Sequence, residues 1–400
     1  MTATRRLASI RPAMKIYIPK ERATGETRVA ATPETVAKMV ELGFTVAVEP
    51  GAGVESGFGD DLYEEAGAKL EAGAAGGGDA DVLLKVGPLT EEEIGRLRQG
   101  ATVAGLLSPY REKETVALLA QKGINSLALE LLPRTTLAQS MDALSSQASI
   151  AGYKAVLLAA SRLDRYFPLL MTAAGTIPPA RVVVMGAGVA GLQAVATAKR
   201  LGAVVEVSDI RAAVKEEIES LGGRFIELPT EEKGDAGGGY AKEMTADFLH
   251  RQREILKQHV GAASVVVTTA QVPGKKPPVL LDEEMVALMK PGAVIIDLAA
   301  GSGGNCVLTR ADEETNVDGV LILGPSNLAA SMPHDASVLY ARNLLALLEH
   351  AMGEDSLELD RDDEILAGTL LTFGGRVVHP HFAESPAPQP TVGQDKELVS

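Results

Sequence analysis

Short apolar runs and amphipathic stretches alternate along the chain from Met14 onward. KIYIP (15–19), TVAVEP (45–50), DVLLKV (81–86), TVAGLL (102–107) and SLALEL (126–131) read as strands. Between them, TPETVAKMVELG (32–43) reads as a helix with Thr32 as N-cap and Pro33 at its first position. TEEEIGRLRQG (90–100) opens with a Thr90–Glu93 capping box and closes on Gly100, and REKETVALLAQKG (111–123) is a third helix. Five strands separated by helices predict a parallel sheet covered on both faces.

A long helical stretch over roughly 142–165 leads into a second series, with strands RVVVM (181–185), VVEVS (204–208), RFIEL (224–228), SVVVT (264–268) and AVIID (293–297). VLIL (320–323) makes a sixth. The amphipathic stretch HDASVLYARNLLALLEHAM (334–352) has no strand of this second sheet after it and is expected to return to the first. The fold class expected is α/β, with two Rossmann-like, doubly wound parallel-sheet domains and a cleft between them. The first takes residues 14–141 plus 334–380 and the second 142–333. Residues 1–13 form an extension, and 381–400 a disordered tail without catalytic content.

Composition narrows the function. Of 400 residues, 46% are hydrophobic and 23% charged, enough to bury two cores. The net charge of −15 gives no long-range attraction for nucleic acid or anionic lipid. Cys306 stands alone, so no intrachain disulfide forms, and no metal site is expected. The best apolar run, 155–174, is broken by Arg162, Asp164 and Arg165 and does not read as a membrane span.

VVVMGAGVAGLQAVATAKRLG (182–202) carries the clearest chemistry. Gly186, Gly188 and Gly191 fit G-x-G-x-x-G directly after an apolar strand and before a helix, with Ala187 and Val189 between them. Such a turn sets a diphosphate at a helix N-terminus. Asp209 ends the next strand eighteen residues past Gly191, where a carboxylate takes the adenosine ribose hydroxyls and repels a 2′-phosphate. That favours NAD(H), although Arg211 is near enough to serve a phosphate. GAGVES (51–56) has Ser56 in the third place and reads as a structural turn.

Candidates for proton transfer are few. His250, His259, His334, His350, His379 and His381 fall on expected helix surfaces or in the tail, and read as surface residues. Lys85, ending a strand, is placed like a catalytic cation or like a solvated strand-end lysine. PRTTLAQSMDALSSQ (133–147) offers Arg134, Gln139, Asp142 and Ser145; the last two share a helical face, suiting a carboxamide and ribose or simply capping the helix. The Gly-rich segment 232–244, with Gly239, Tyr240 and Met244, reads as a lid or a surface loop.

PKERATGETRVAATPE (19–34), LLPRTTLAQSMDALSSQ (131–147), the stretch 167–203, AGGGYAKEM (236–244) and KPGAVIIDLAAGSGGN (290–305) together resemble the proton-translocating nicotinamide nucleotide transhydrogenases, specifically their NAD(H)-binding component. The resemblance runs from about Met14 to about residue 352. It implies direct hydride transfer from NADH to NADP⁺ held on a partner subunit, membrane-spanning partner subunits, a homodimer, and a cytoplasmic place peripheral to the inner membrane. On this basis Arg134, Gln139, Asp142 and Ser145 face the nicotinamide. Gly186, Ala187, Gly188, Val189, Gly191, Asp209, Ile210, Arg211, Gly239, Tyr240 and Thr269 hold the rest of the cofactor. Alanine dehydrogenase is the nearest alternative: Arg28 and Lys85 fall where that enzyme binds and protonates its substrate. Leu107 and Gly301, however, stand where it is expected to carry a histidine and a carboxylate. Leu137 departs from an arginine common in transhydrogenases, as Gly301 does from an acid. A non-catalytic NAD sensor is a third reading.

Overall fold

A computed structural model describes residues 14–73, 77–229, 246–353 and 356–383. The extension 1–13, the whole segment 232–244 with Gly239 and Tyr240, and all but the first three residues of the tail lie outside these. The chain folds around two sheets. The first contains β1 (Lys15–Ile18), β2 (Thr45–Val48), β3 (Lys69–Leu70), β4 (Val82–Leu84), β5 (Thr102–Gly105), β6 (Asn125–Ala128), β16 (Leu370–Phe373) and β17 (Arg376–Val377). Their order across the sheet is β17-β16-β6-β5-β4-β1-β2-β3. Strands β1 to β6 are parallel, whereas β16 and β17 pair antiparallel.

The second sheet is built from β9 (Arg181–Met185), β10 (Val204–Ser208), β11 (Arg224–Phe225), β12 (Val265–Thr268), β13 (Val294–Asp297), β14 (Glu314–Val317) and β15 (Val320–Leu323). Its order is β11-β10-β9-β12-β13-β15-β14. Without the antiparallel edge β14 this is the doubly wound order whose reversal, between β9 and β12, opens a crevice at the strands' carboxyl ends. A small hairpin, β7 (Leu170–Thr172) with β8 (Gly175–Ile177), stands apart from both sheets.

The apolar runs become strands because helices cover both faces. Each sheet has a buried cluster on either side, which is why RVVVM and VVVT read as unbroken apolar segments. Thr32 and Thr90 both cap their helices through capping boxes, with Thr35 and Glu93 as the reciprocating residues. RFIEL pairs only over Arg224–Phe225, because it lies at the sheet edge and Pro229, lacking an amide, follows. β3 and β14 have no apolar signature, being edge strands of two and four residues with exposed positions.

Two helices set the geometry of the site. The connecting helix Ala143–Arg162 joins the two sheets, and the fingerprint helix Val189–Arg200 follows β9. They meet at Gly152, where a Cβ would overlap the carbonyl oxygen of Ala190 in the fingerprint helix's first turn. The return helix Pro333–His350 sends Tyr340, Leu344 and Leu348 into the core of the first sheet.

Gly152→Ala forces the two helices apart or shifts the Ala190 backbone. Overpacking of this kind costs about 1–3 kcal/mol, and more where backbone resists. The expected outcome is a lower midpoint in urea unfolding with an unchanged slope. An unchanged midpoint would show that the helices are free to separate.

Candidate functional site

The three fingerprint glycines have separate duties. Gly186 sits at φ +107, a backbone state that L side chains rarely adopt, and makes the tight turn after β9. A side chain on Gly188 would meet nothing within 4 Å, leaving open the space a diphosphate needs. A side chain on Gly191 would overlap the Gly186 carbonyl, so this glycine permits the helix to pack on the strand. Gly188 is also the N-cap of the twelve-residue fingerprint helix and offers no side chain there, so the first-turn amides stay free for an anion. These features fit a dinucleotide.

Asp209 follows β10 and accepts a hydrogen bond from the Ala187 amide at 2.7 Å. Arg211 donates to both of its oxygens, at 3.0 Å each, and to the Ala187 carbonyl at 3.2 Å. Burial by itself would raise the Asp209 carboxyl; Arg211 and the amides of Ala187 and Arg211 outweigh it and hold the group below the usual carboxylate range. Arg211 is thereby committed to Asp209. Thr269 donates its hydroxyl to the Gly186 carbonyl at 3.0 Å, so it braces the glycine turn. Ile210, between Asp209 and Arg211, is 92% exposed.

A cleft of about 660 Å³ joins this turn to the segment before the connecting helix. Arg134, Gln139, Asp142 and Ser145 line it together with Ala187, Gly188, Val189 and Arg211. Asp142 is the N-cap of the connecting helix: it accepts from the Ser145 amide at 2.9 Å and from the Ser145 hydroxyl at 2.6 Å. The two residues that cap the helix are thus also two that line the cleft. Gly239 and Tyr240 lie outside the described residues.

A second cleft of about 390 Å³ shares Arg134, Asp142, Ser145 and Val189, and brings in Tyr110, Glu130, His379 and His381. This corrects the surface reading of one histidine. His379 is buried where the chain after β17 bonds back to the Leu371 carbonyl, and burial, with His381 beside it, lowers its pKa. His381 lines the same cleft and is exposed, as expected of a surface residue. Glu130 escapes sequence reasoning, although it is an acid inside the apolar run SLALEL. Both its oxygens accept backbone amides, from Leu107 at 3.1 Å and from Ser108, and burial pushes its carboxyl up to about 7.

The first sheet's cations are spoken for. Lys85 is buried, not solvated; it contacts Glu93 at 2.7 Å and Glu21 at 3.2 Å, which together hold it protonated against its burial. Arg28 makes a two-pronged bond to Glu26, at 2.7 and 2.6 Å, and a third to Gln147 at 2.8 Å. Leu107 is buried in the core. Sequence reasoning also misses Asp297 and Asn305. Asp297 takes four donors: the Thr268 hydroxyl and the amides of Ala299, Asn305 and Cys306. Asn305 then ties down Ala270 and Pro278, fixing the loops beyond β12 and β13. An acid closing the apolar strand AVIID, as Asp209 follows VVEVS, is the available signal. Among the described residues no group of three metal-ligating side chains occurs, and no helix is long and apolar enough to cross a membrane.

The sequence matches two family profiles, alanine dehydrogenase/PNT N-terminal domain over residues 17–151 and alanine dehydrogenase/PNT C-terminal domain over 155–380. It is 48% identical over 377 residues to the first part of NAD(P) transhydrogenase subunit alpha from Rhodospirillum rubrum, covering 92% of this chain and 98% of that protein. The solved transhydrogenase from Sinorhizobium meliloti superposes with a TM-score of 0.84 at 44% identity, over 91% of this chain and all of the other. A solved L-alanine dehydrogenase gives 0.78 at 26% identity, over 92% and 98%.

Glu130 makes stability depend on pH. Its folded-state pKa lies above the ordinary 4.5, so its contribution is complete below 4.5 and is lost as pH rises through about 7. Wild type should therefore lose roughly 3 kcal/mol at most relative to Glu130→Gln between pH 4.5 and 8. Denaturant titrations of both proteins across that range check this; a gap that stays constant with pH would show that Glu130 ionises normally.

Proposed function

The chain belongs to the alanine dehydrogenase/PNT family, and from that premise we propose that it is the NAD(H)-binding subunit of a proton-translocating, Si-specific transhydrogenase, active only with its partner subunits. The observation that carries the reading is the self-neutralised state of Arg28 and Lys85. An enzyme acting on an amino or oxo acid needs cations free for the substrate carboxylate, whereas here buried Glu26, Glu21 and Glu93 already occupy them. Leu107 supplies no proton in place of a histidine. Hydride exchange between two nicotinamides needs only that the rings be positioned. The alanine dehydrogenase reading is correspondingly weaker.

In this reading Gly186, Gly188, Gly191 and the first turn of the fingerprint helix hold the diphosphate, while Asp209 takes the adenosine ribose and disfavours a 2′-phosphate. Arg134, Gln139, Asp142 and Ser145 orient the carboxamide and ribose on the far side of the cleft. Ala187, Val189, Ile210, Arg211, Thr269, Gly239 and Tyr240 complete the cofactor set. When bound, NADH would supply the hydride and NADP⁺ on a partner subunit would take it up, leaving NAD⁺ and NADPH.

Exposed apolar side chains beside the cleft, Leu137 at 80% and Ile210 at 92%, support docking of that partner over the cleft mouth. Met171, 72% exposed on the β7–β8 hairpin with Ile177 nearby, supports a homodimer. The subunit would lie on the cytoplasmic face of the inner membrane, held by membrane-spanning partners.

Mixing the purified chain with NADH and the NADP⁺-loaded NADP(H)-binding part of a transhydrogenase should give rapid hydride transfer that needs both proteins. NADH oxidation by pyruvate and ammonia would instead mean a dehydrogenase, and binding with neither reaction a sensor. Asp209→Asn should weaken NADH binding and relax discrimination against NADPH; an unchanged preference would remove Asp209 from that role. Gln139→Asn should slow transfer by roughly 100-fold, the cost of a small misplacement of the ring, with little change in NADH affinity. Equal losses in both would argue against a positioning role.

A further inference from the structure

The loop after β5 crosses from the first sheet to the second. Arg111 donates from one guanidinium nitrogen to the Gly301 carbonyl at 2.6 Å and to the Ser302 hydroxyl at 2.7 Å, in the turn after β13. Its neighbour Tyr110 lies against Gly274, in the loop after β12, where a Cβ would overlap the ring. Phe382 packs edge-on to Tyr110, with ring centroids 4.9 Å apart. One short loop thus touches both loops of the second sheet that flank the crevice.

The loop is rigid at its root. Ser108 is held at φ +51, uncommon for a residue with a side chain, and both its amide and that of Leu107 bond to buried Glu130. The Ser108 carbonyl then accepts the amides of Arg111 and Glu112, at 2.9 and 3.0 Å, and closes the turn. At the far end, Asp297 and Asn305 fix the receiving segments. A rigid anchor, a two-residue bridge and a rigid receiver make a strut, not a casual surface contact.

We propose that Tyr110 and Arg111 form a strap that sets the width of the cleft, and that Arg111 is a positioning residue for the dinucleotide bound there. The strap itself is independent of what the cleft binds; its effect on cofactor rests on the NAD(H) reading above. Gly301, where the resemblance leads one to expect an acid, offers its backbone oxygen to the arginine, and a carboxylate on a side chain there would compete for it.

The test uses the full chain with spin labels at Gln121→Cys and Ala287→Cys, exposed helical positions beside the first and second sheets; the natural cysteine, Cys306, is buried. Pulsed electron–electron distance measurements are made without ligand, and NADH affinity is read by fluorescence. The intact strap should give one narrow distance distribution. Arg111→Ala should broaden it toward longer distances and weaken NADH binding by roughly fivefold, the worth of one or two exposed charge-assisted bonds. Arg111→Lys should recover part of both, and Ser302→Ala should shift both less than Arg111→Ala does. An unchanged distribution in Arg111→Ala overturns the strap. Weaker NADH binding without broadening also overturns it, by making Arg111 a direct ligand contact. If the unsubstituted chain binds no NADH, the NAD(H) reading fails while the distances still decide the strap.

Discussion

The close approach of the connecting helix to the fingerprint helix is the constraint on which the site depends. Helices normally keep 8–10 Å between axes, and a glycine at the crossing lets backbone meet backbone. Gly152 sets the middle of the connecting helix against Ala190, in the first turn of the fingerprint helix, and both helix N-termini line the same cleft. The cap of one helix, Asp142 with Ser145, thus shares a cleft with the first turn of the other. The fingerprint helix keeps its first-turn amides open toward the cleft for an anionic group, while the connecting helix presents the polar Asp142–Ser145 cap there. A bulkier residue at position 152 would leave every named side chain in place on its own helix and still spoil their relation.

Buried charge is managed differently on the two sides of the cleft. In the second sheet, Asp209 is held ionised by amides and Arg211 at the surface end of β10. In the first, Arg28 and Lys85 are wrapped by acids of the segments that follow β1 and precede β5. A buried ion pair adds little net stability, yet removing one partner strands the other. These pairs therefore fix conformation and, at the same time, withdraw two cations from any incoming ligand. Burial raises the carboxyl of Glu21 even with Lys85 beside it. Glu130 has backbone amides in place of a cation, and burial carries it up to about 7.

The sequence makes legible those features that are local. Thr32, Thr90 and the glycines of 186–191 act through neighbours within a few residues, and periodicity marks strands buried on both faces. Asp142 and Ser145 are readable as a pair because a cap is local as well. Features that depend on distant partners are not readable. β3 is two residues long and β14 polar, so neither carries a pattern; they are strands only because a neighbour offers a free edge. Lys85 cannot be told from a solvated lysine because Glu21 stands 64 residues earlier. The hairpin β16–β17 carries a local signal that a reading at the level of domains passes over: Gly374 and Gly375, both with positive φ, form a two-residue turn between LLTF and RV.

That hairpin also bears on how the chain reaches its folded state. β6 ends at residue 128, and the strand that covers its edge begins at residue 370, after the whole second sheet has been made. The Ser126 and Thr372 hydroxyls that join the two are separated by 246 positions. During synthesis at about 5–20 residues per second, the flank of β6 stands open for roughly 10–50 s, with unpaired amides and carbonyls able to template another strand. The first sheet begins earlier than the second and is completed later. The chain's last described strands thus act as a seal against association between nascent copies, and a protein truncated before residue 370 would keep an intact dinucleotide fingerprint while carrying an unprotected edge.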